Sequence, residues 1–278
     1  MIPSFRAEIL KMRKRSANWI LLLVLLIILV LLGYVISYLV LKNPPKGFRS
    51  EVPANILRKE IFPENLIPNV LAGMGTIGAA IMIILGGLNT ASEYSWVTVQ
   101  TILIQKPGRL AVLFGKLLAL ALVSLLISIV VLGIAALTSY ILAMVDGANS
   151  AWPSTDVLVR GFGALWLQLL VWTMFGMFLG LAFRSSAAAI GGGLTYVFVI
   201  ETLVGRLFRD TVILKEFLKF LPGFNANGIN ATFPYSFRNP NAAAPLVSST
   251  RGTVTLVIYL LLFTILAALI FRRRDVGA

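Results

Sequence analysis

The sequence predicts an all-α integral membrane protein with six transmembrane helices, and three observations carry that prediction. Hydrophobic residues fill 58% of the 278 positions and only 13% are charged, whereas soluble domains are about a quarter charged. Mean hydropathy is +0.91. Six segments are long and apolar enough to cross a bilayer, which takes roughly 20 residues: 19–41, 69–89, 113–143, 160–182, 186–206 and 253–271.

The first span follows a basic stretch of Arg6, Lys11, Arg13, Lys14 and Arg15 and runs uncharged from Ser16 to Leu41. That run exceeds the apolar core of a signal peptide, and Asn43-Pro44-Pro45 follows it where a small-residue cleavage site would stand. The second span is expected to begin near Pro68, read as a breaker. The fifth is apolar from Ser185 to Ile200 and then meets Glu201. Arg272-Arg273-Arg274 follow the sixth. With an even number of spans and basic clusters touching the first and last, both termini are expected in the cytoplasm, and the chain reads as one transmembrane domain over 1–278.

Three loops are then expected outside. The first, 42–68, holds five prolines and a short amphipathic piece, "ANILRKEIF". The second, 144–159, is rich in turn residues. The third, 207–252, opens with Leu214, Phe217, Leu218 and Leu221 at helical spacing, an amphipathic helix expected to lie in the interface and to stop at Pro222-Gly223. "NANGINATFPYSFRNPNAAAP" after it is expected to be irregular.

Composition excludes several function classes. With no cysteine and no histidine there is no thiol chemistry, no His-metal site and no Ser-His or Cys-His dyad. No GxxxxGK[ST] occurs, so no nucleotide cofactor is expected on this chain. The net charge of +13 would suggest nucleic acid in a soluble protein, but here the basic residues are dispersed among apolar runs, and membrane lipids are the expected contact. Catalysis by the chain itself is not expected.

Within the spans, "GMGTIG" at 73–78 fits GxGxxG. A dinucleotide site needs a strand before it and a helix after it; inside an apolar span, Gly73, Gly75 and Gly78 read as a face that lets another helix approach. Gly176 with Gly180, and Gly191 and Gly192 in "AAAIGGG", read the same way, against a neighbouring helix or a second copy. Two readings stand for Glu201. A charge in hydrocarbon is often functional, so it could serve a substrate or a proton. Yet it lies ~25 Å up the helix from Arg184 at 1.5 Å per residue, near the far edge, where pairing with Arg206 or Arg209 is the plainer expectation. Gln168 and Thr173 could line a path or bond a neighbouring helix.

The polar stretch "SEYSWVTVQTILIQKPGRLAVLFGKLL", 92–118, interrupts two apolar spans. Pro107-Gly108 is a turn signal. Before it, Trp96, Val99 and Leu103 share one helical face while Glu93, Gln100 and Thr101 lie away from it, although "WVTVQTI" is β-branched and would also suit a strand. A short interfacial helix over 92–105 is the better expectation beside lipid, with Arg109 and Lys116 at headgroup level.

Here the chain resembles the permease subunits of ABC-2-type transporters, in which an acid, a short amphipathic segment and a proline-arginine turn precede a Gly-Lys-Leu-Leu at the start of a span. Glu93, Pro107, Arg109, Gly115 and Lys116 match that pattern, with Gly108 where the family usually has serine. The "FRAEILKMRKRS" start, the long region after the fifth span and the "FRRRDV" ending agree with it. The resemblance implies a six-span subunit that pairs with a second permease subunit and works with a separate ABC ATPase subunit, which binds ATP and Mg. It implies that 92–105 is the coupling helix, with Glu93, Trp96, Val99, Gln100, Leu103, Lys106 and Arg109 docking on the ATPase. It implies an interfacial helix within 1–18 beside it, and a substrate route along the first, second and fifth spans. Members of that family run in either direction, export being the commoner and the one expected here; the basic flanks and the lack of targeting signals fit a prokaryotic inner membrane. Two other classes compete. A self-contained secondary transporter or channel would show buried acids or inverted repeats, and a complex doing mechanical work on a partner would carry the same coupling segment.

Overall fold

The structure is a computed structural model that describes residues 2–45, 53–95, 108–149, 151–207, 211–235 and 244–273. Among these residues it is wholly helical. A short helix, α1 (Ile2–Lys14), precedes six helices long and apolar enough to cross a membrane. They are α2 (Ser16–Lys42), α3 (Pro63–Glu93), α4 (Leu110–Val145), α5 (Thr155–Phe183), α6 (Ser186–Val204) and, last in the chain, α9 (Ser249–Arg272). Between α6 and α9 lie two short helices, α7 (Val212–Leu218) and α8 (Pro222–Asn230). Alternate crossings put α1, the α3–α4 and α5–α6 connections and the end of α9 at one end of the bundle, called the α1 end. The other loops, α7 and α8 are at the opposite end.

Burial separates the spans. In α3 and α5, 67% and 78% of the apolar stretch is buried, against 17% in α2, α6 and α9. The central pair is the close-packed core, and glycine permits it. A Cβ on Gly86 would collide with the carbonyl oxygen of Thr173, and one on Gly176 with that of Ile83, so the two backbones touch where both lack a side chain. Gly180 repeats this one turn on, against Thr90 and the carbonyl of Gly87. An aromatic seam then fastens the outer spans to α5: Phe175 packs 5.1 Å from Tyr196 of α6 and 5.0 Å from Phe263 of α9, ring centre to ring centre. Each such pair is worth about 0.5–1.5 kcal/mol beyond its buried area.

The turn from α5 to α6 takes two residues. Arg184 adopts the left-handed conformation, φ 54°, and the Ser185 hydroxyl accepts from the backbone N–H of Ala188 to start α6. Left-handed closure of one helix and side-chain capping of the next are the usual means of a tight reversal. The helix that includes α4 counts 37 residues from Arg109, roughly 55 Å at the helical rise and well beyond the ~30 Å hydrocarbon layer.

Two boundaries differ from expectation. Pro68 does not precede the second span but lies inside its first turns, since the helix holding it runs Leu66–Gly73; near a helix start the missing N–H costs nothing. Pro222-Gly223 does stop α7, which ends at Leu218, but the same proline opens α8, so 224–230 is helical and not irregular. Proline suits the first helical position, and Asn225, wholly buried, donates to the carbonyls of Lys219 and Leu221. The asparagines that signal a loop here hold a helix start in place.

Candidate functional site

At the α1 end, polar residues from four helices meet in one network. Lys116, near the start of α4, is 3% exposed. Its ammonium reaches Glu93 of α3 at 2.8 Å, Glu8 of α1 at 3.2 Å and the carbonyl oxygen of Asn89 at 3.0 Å. Those three acceptors use all three of its N–H donors. Lys11 joins the same two carboxylates, with Glu93 at 2.7 Å. Lys116 and Glu8 are buried and Glu93 nearly so, while Lys11 closes the cluster from its half-exposed rim; two acids balance two bases, which makes the buried part tolerable. Burial opposes the charge on Lys11, but Glu93 and Glu8 outweigh it and hold the ammonium above its ordinary value.

The cluster continues through amides. Asn89 and Asn18 exchange hydrogen bonds, at 2.8 and 3.2 Å, and Asn18 also donates to the carbonyl of Met12. Arg15 donates to the carbonyl of Leu88 at 3.0 Å. A glycine completes the seat: a Cβ on Gly115 would meet Ser4 and the backbone N of Phe5, so α1 crosses α4 at backbone contact. Lys116 therefore does not face outward, as its flanking position suggested. It is sealed beneath α1, because two carboxylates satisfy it where lipid phosphate would otherwise have to.

Of the residues expected to couple the chain to a partner, Glu93 is this brace. Trp96, Val99, Gln100, Leu103 and Lys106 lie outside the described residues. Arg109 is the first residue of its helix, and its side chain lies outside the description. The structure therefore defines the two ends of the 92–109 stretch, both tied to α1 through Glu93 and Lys116.

At the opposite end the residues singled out within the spans converge on α8. Both carboxylate oxygens of Glu201 accept from the backbone N–H of Gly223, at 3.0 and 3.1 Å, where the helix dipole favours an anion. The Tyr196 hydroxyl lies beside the same carboxylate. A Cβ on Gly223 would run into Glu201, so the helix start sits directly on the acid. At the other end of α8, Gln168 donates to the Asn230 side chain at 2.8 Å. Arg209 and the Arg206 side chain lie outside the description; the described partners of Glu201 are Gly223 and Tyr196. Thr173 donates to the carbonyl of Leu169 in its own helix.

The glycines divide. Gly78 is packed against Met74 and Leu169, and Gly192 against Phe183, whereas a Cβ on Gly73, Gly75 or Gly191 would meet nothing. The closest helix contacts fall instead at Gly86 and Gly176. Sequence reasoning did not single out Glu8, Lys11, Asn18 or Asn89 as a unit; the one visible signal was that each is a polar residue at the edge of an apolar run.

No curated protein matches the chain. Residues 63–277 match the family described as "Protein of unknown function (DUF2705)", an interval that begins with α3 and holds both Glu201 and three members of the α1-end network, Asn89, Glu93 and Lys116. Spanning most of its length, that match makes the chain a member of the DUF2705 family.

Proposed function

We propose that this chain is the membrane-spanning subunit of an ATP-driven transporter of the ABC-2 permease kind, exporting a hydrophobic or amphipathic substrate. A separate ABC ATPase subunit would bind ATP and Mg and dock on 92–109, with Trp96, Val99, Gln100, Leu103, Lys106 and Arg109 as its contacts. A second permease subunit would complete the substrate route. In this reading the α1 end faces the cytoplasm of a prokaryotic cell, with both termini there.

The observation that carries the reading is the brace at the α1 end. Glu93, Gly115 and Lys116, three residues of the permease-like pattern, all meet at α1: two through ion pairs and one through backbone contact. A force on the segment between Glu93 and Arg109 would therefore move α1, α3 and α4 as one body and not simply bend a loop. Such stiffness is what a push from a soluble motor requires, because a displacement absorbed locally cannot shift the populations of two membrane conformations.

The test is isolation of the tagged chain from its native membrane in mild detergent, with identification of what accompanies it. A stoichiometric ATPase, lost from Trp96→Ala and Leu103→Ala variants that still insert and fold, is the expected result. Recovery of the chain alone, in an assembly that transports without nucleotide, would overturn the reading in favour of a secondary transporter or channel.

A further inference from the structure

A cavity of about 360 Å³ lies among α3, α5, α6 and α8. That is many times the ~30 Å³ a water occupies and within the range of sites for small molecules. Its walls include Gly75 and Thr76 of α3, Trp172 of α5, Glu201 and Thr202 of α6, and Asn227 of α8. Ala72 and Asn227, also on its edge, are exposed, so the space is reached from outside the bundle.

Both long walls are irregular at the same level. α3 is π-helical over Met74–Gly78 and α6 over Tyr196–Val204, and such bulges concentrate at functional positions. The missing side chain at Gly75 leaves the cavity open, since a Cβ there meets nothing within 4 Å. The chemistry of the lining has one sign. Glu201 is the single charged residue among the described lining residues. Its carboxylate offers about four lone-pair positions; the described hydrogen-bond donor is one backbone N–H, that of Gly223. Acceptor capacity is left over. The rings of Trp172 and Phe224 add aromatic surface of the kind that attracts cations, and the Thr76 and Thr202 hydroxyls and the Asn227 amide supply further polar atoms.

We infer that this cavity binds the positively charged head of an amphipathic organic cation, an ammonium, phosphonium or guanidinium group on an apolar body, through the Glu201 carboxylate. The inference rests on the transport reading for its biological sense and gives that reading a substrate class, but binding itself needs neither an ATPase nor a second subunit.

The test is equilibrium binding of radiolabelled tetraphenylphosphonium to the full chain in neutral maltoside micelles, without nucleotide. Saturable binding of one probe per chain is expected, weakened at least tenfold by Glu201→Gln, which keeps an oxygen to accept from Gly223. Glu216→Gln, on the exposed face of α7, is expected to bind as the wild type does. Gly75→Leu, which fills the cavity without touching the acid, is expected to abolish binding and keeps the test decisive should Glu201→Gln not fold. Competition by phosphatidylethanolamine would assign the cationic head to a lipid, and competition by soluble alkylammonium alone would assign it to a free solute; both support the site. Absence of saturable binding, or equal binding by wild type, Glu201→Gln and Gly75→Leu, would overturn it. An ATPase recovered with a chain that does not bind the probe would sink this inference alone, while probe binding by a chain without any ATPase would sink the ABC reading alone.

Discussion

At the α1 end, two carboxylates and the Lys116 ammonium are largely withdrawn from water, with Lys11 at the half-exposed rim, and together they hold three helices. Around α8, at the opposite end, a single carboxylate rests on a backbone N–H and an amide pair joins Gln168 to Asn230, while farther off Asp146 pairs with Arg58 at 3.0 Å. The difference lies in what each end tolerates. A buried cluster of ions is stable only while complete, because deleting one member leaves its partners charged and dry. A fastening of neutral groups and one dipole-capped acid loses only the bonds that are removed. The α1 end is thus held by ions, while α8, beside an open cavity, is held by apolar burial and by polar bonds that can be lost one at a time.

Three experiments bear on that contrast, in falling order of effect. Lys116→Met removes the ammonium but keeps the apolar stem, leaving Glu8 and Glu93 with Lys11 as their shared cation. A loss of about 3–5 kcal/mol is expected for one broken buried pair, read as a lowered unfolding midpoint in detergent. A loss under about 1 kcal/mol would erase the distinction between the two ends. Gln168→Leu is expected to cost about 1 kcal/mol, the net value of one neutral hydrogen bond, and to increase hydrogen exchange in α8 without altering that of α1. Equal exchange across α1 and α8 would show that the two fastenings are one unit. The smallest effect is one of pH. The raised pKa of Lys11 means that its stabilising contribution is whole below the ordinary lysine value and fades only as pH climbs through the raised one. Because the chain has no cysteine, a fluorophore on Ile2→Cys reports α1 alone. It should stay immobile from neutrality to about pH 10 and loosen above that; loosening below pH 9 would show that Lys11 is not part of the anchor.

Much of the fold was legible because hydropathy is a local property. Every span appears where a run of apolar residues reaches crossing length, and Arg184-Ser185 falls where the fourth and fifth runs part. What escaped is non-local. Nothing in the chain near Lys116 reveals that Glu8 and Glu93 will meet it, so a basic residue at the edge of a span reads as one that faces headgroups. Gly86-Gly87 looks no different from Gly73 or Gly75 in sequence, yet only the first pair touches another backbone, because close approach depends on where Gly176 and Gly180 of α5 arrive. Asn225 failed for a third reason: its local turn chemistry is real, but burial turns its amide, bonded to the carbonyls of Lys219 and Leu221, to the service of a helix start. Glu201 was visible as an oddity, and its partner was not, since a backbone N–H leaves no mark in a sequence.

The anchoring of α1 also has a consequence in time. Glu93 follows Lys11 by 82 residues, so at roughly 5–20 residues per second a ribosome needs on the order of 4–16 seconds to deliver it, and longer for Lys116. Until then the seat of α1 is incomplete, and only when the third span brings Lys116 is Glu8 held from both sides. α1 is thus made well before the two segments that lock it, and its charges stay open to water for all of that interval.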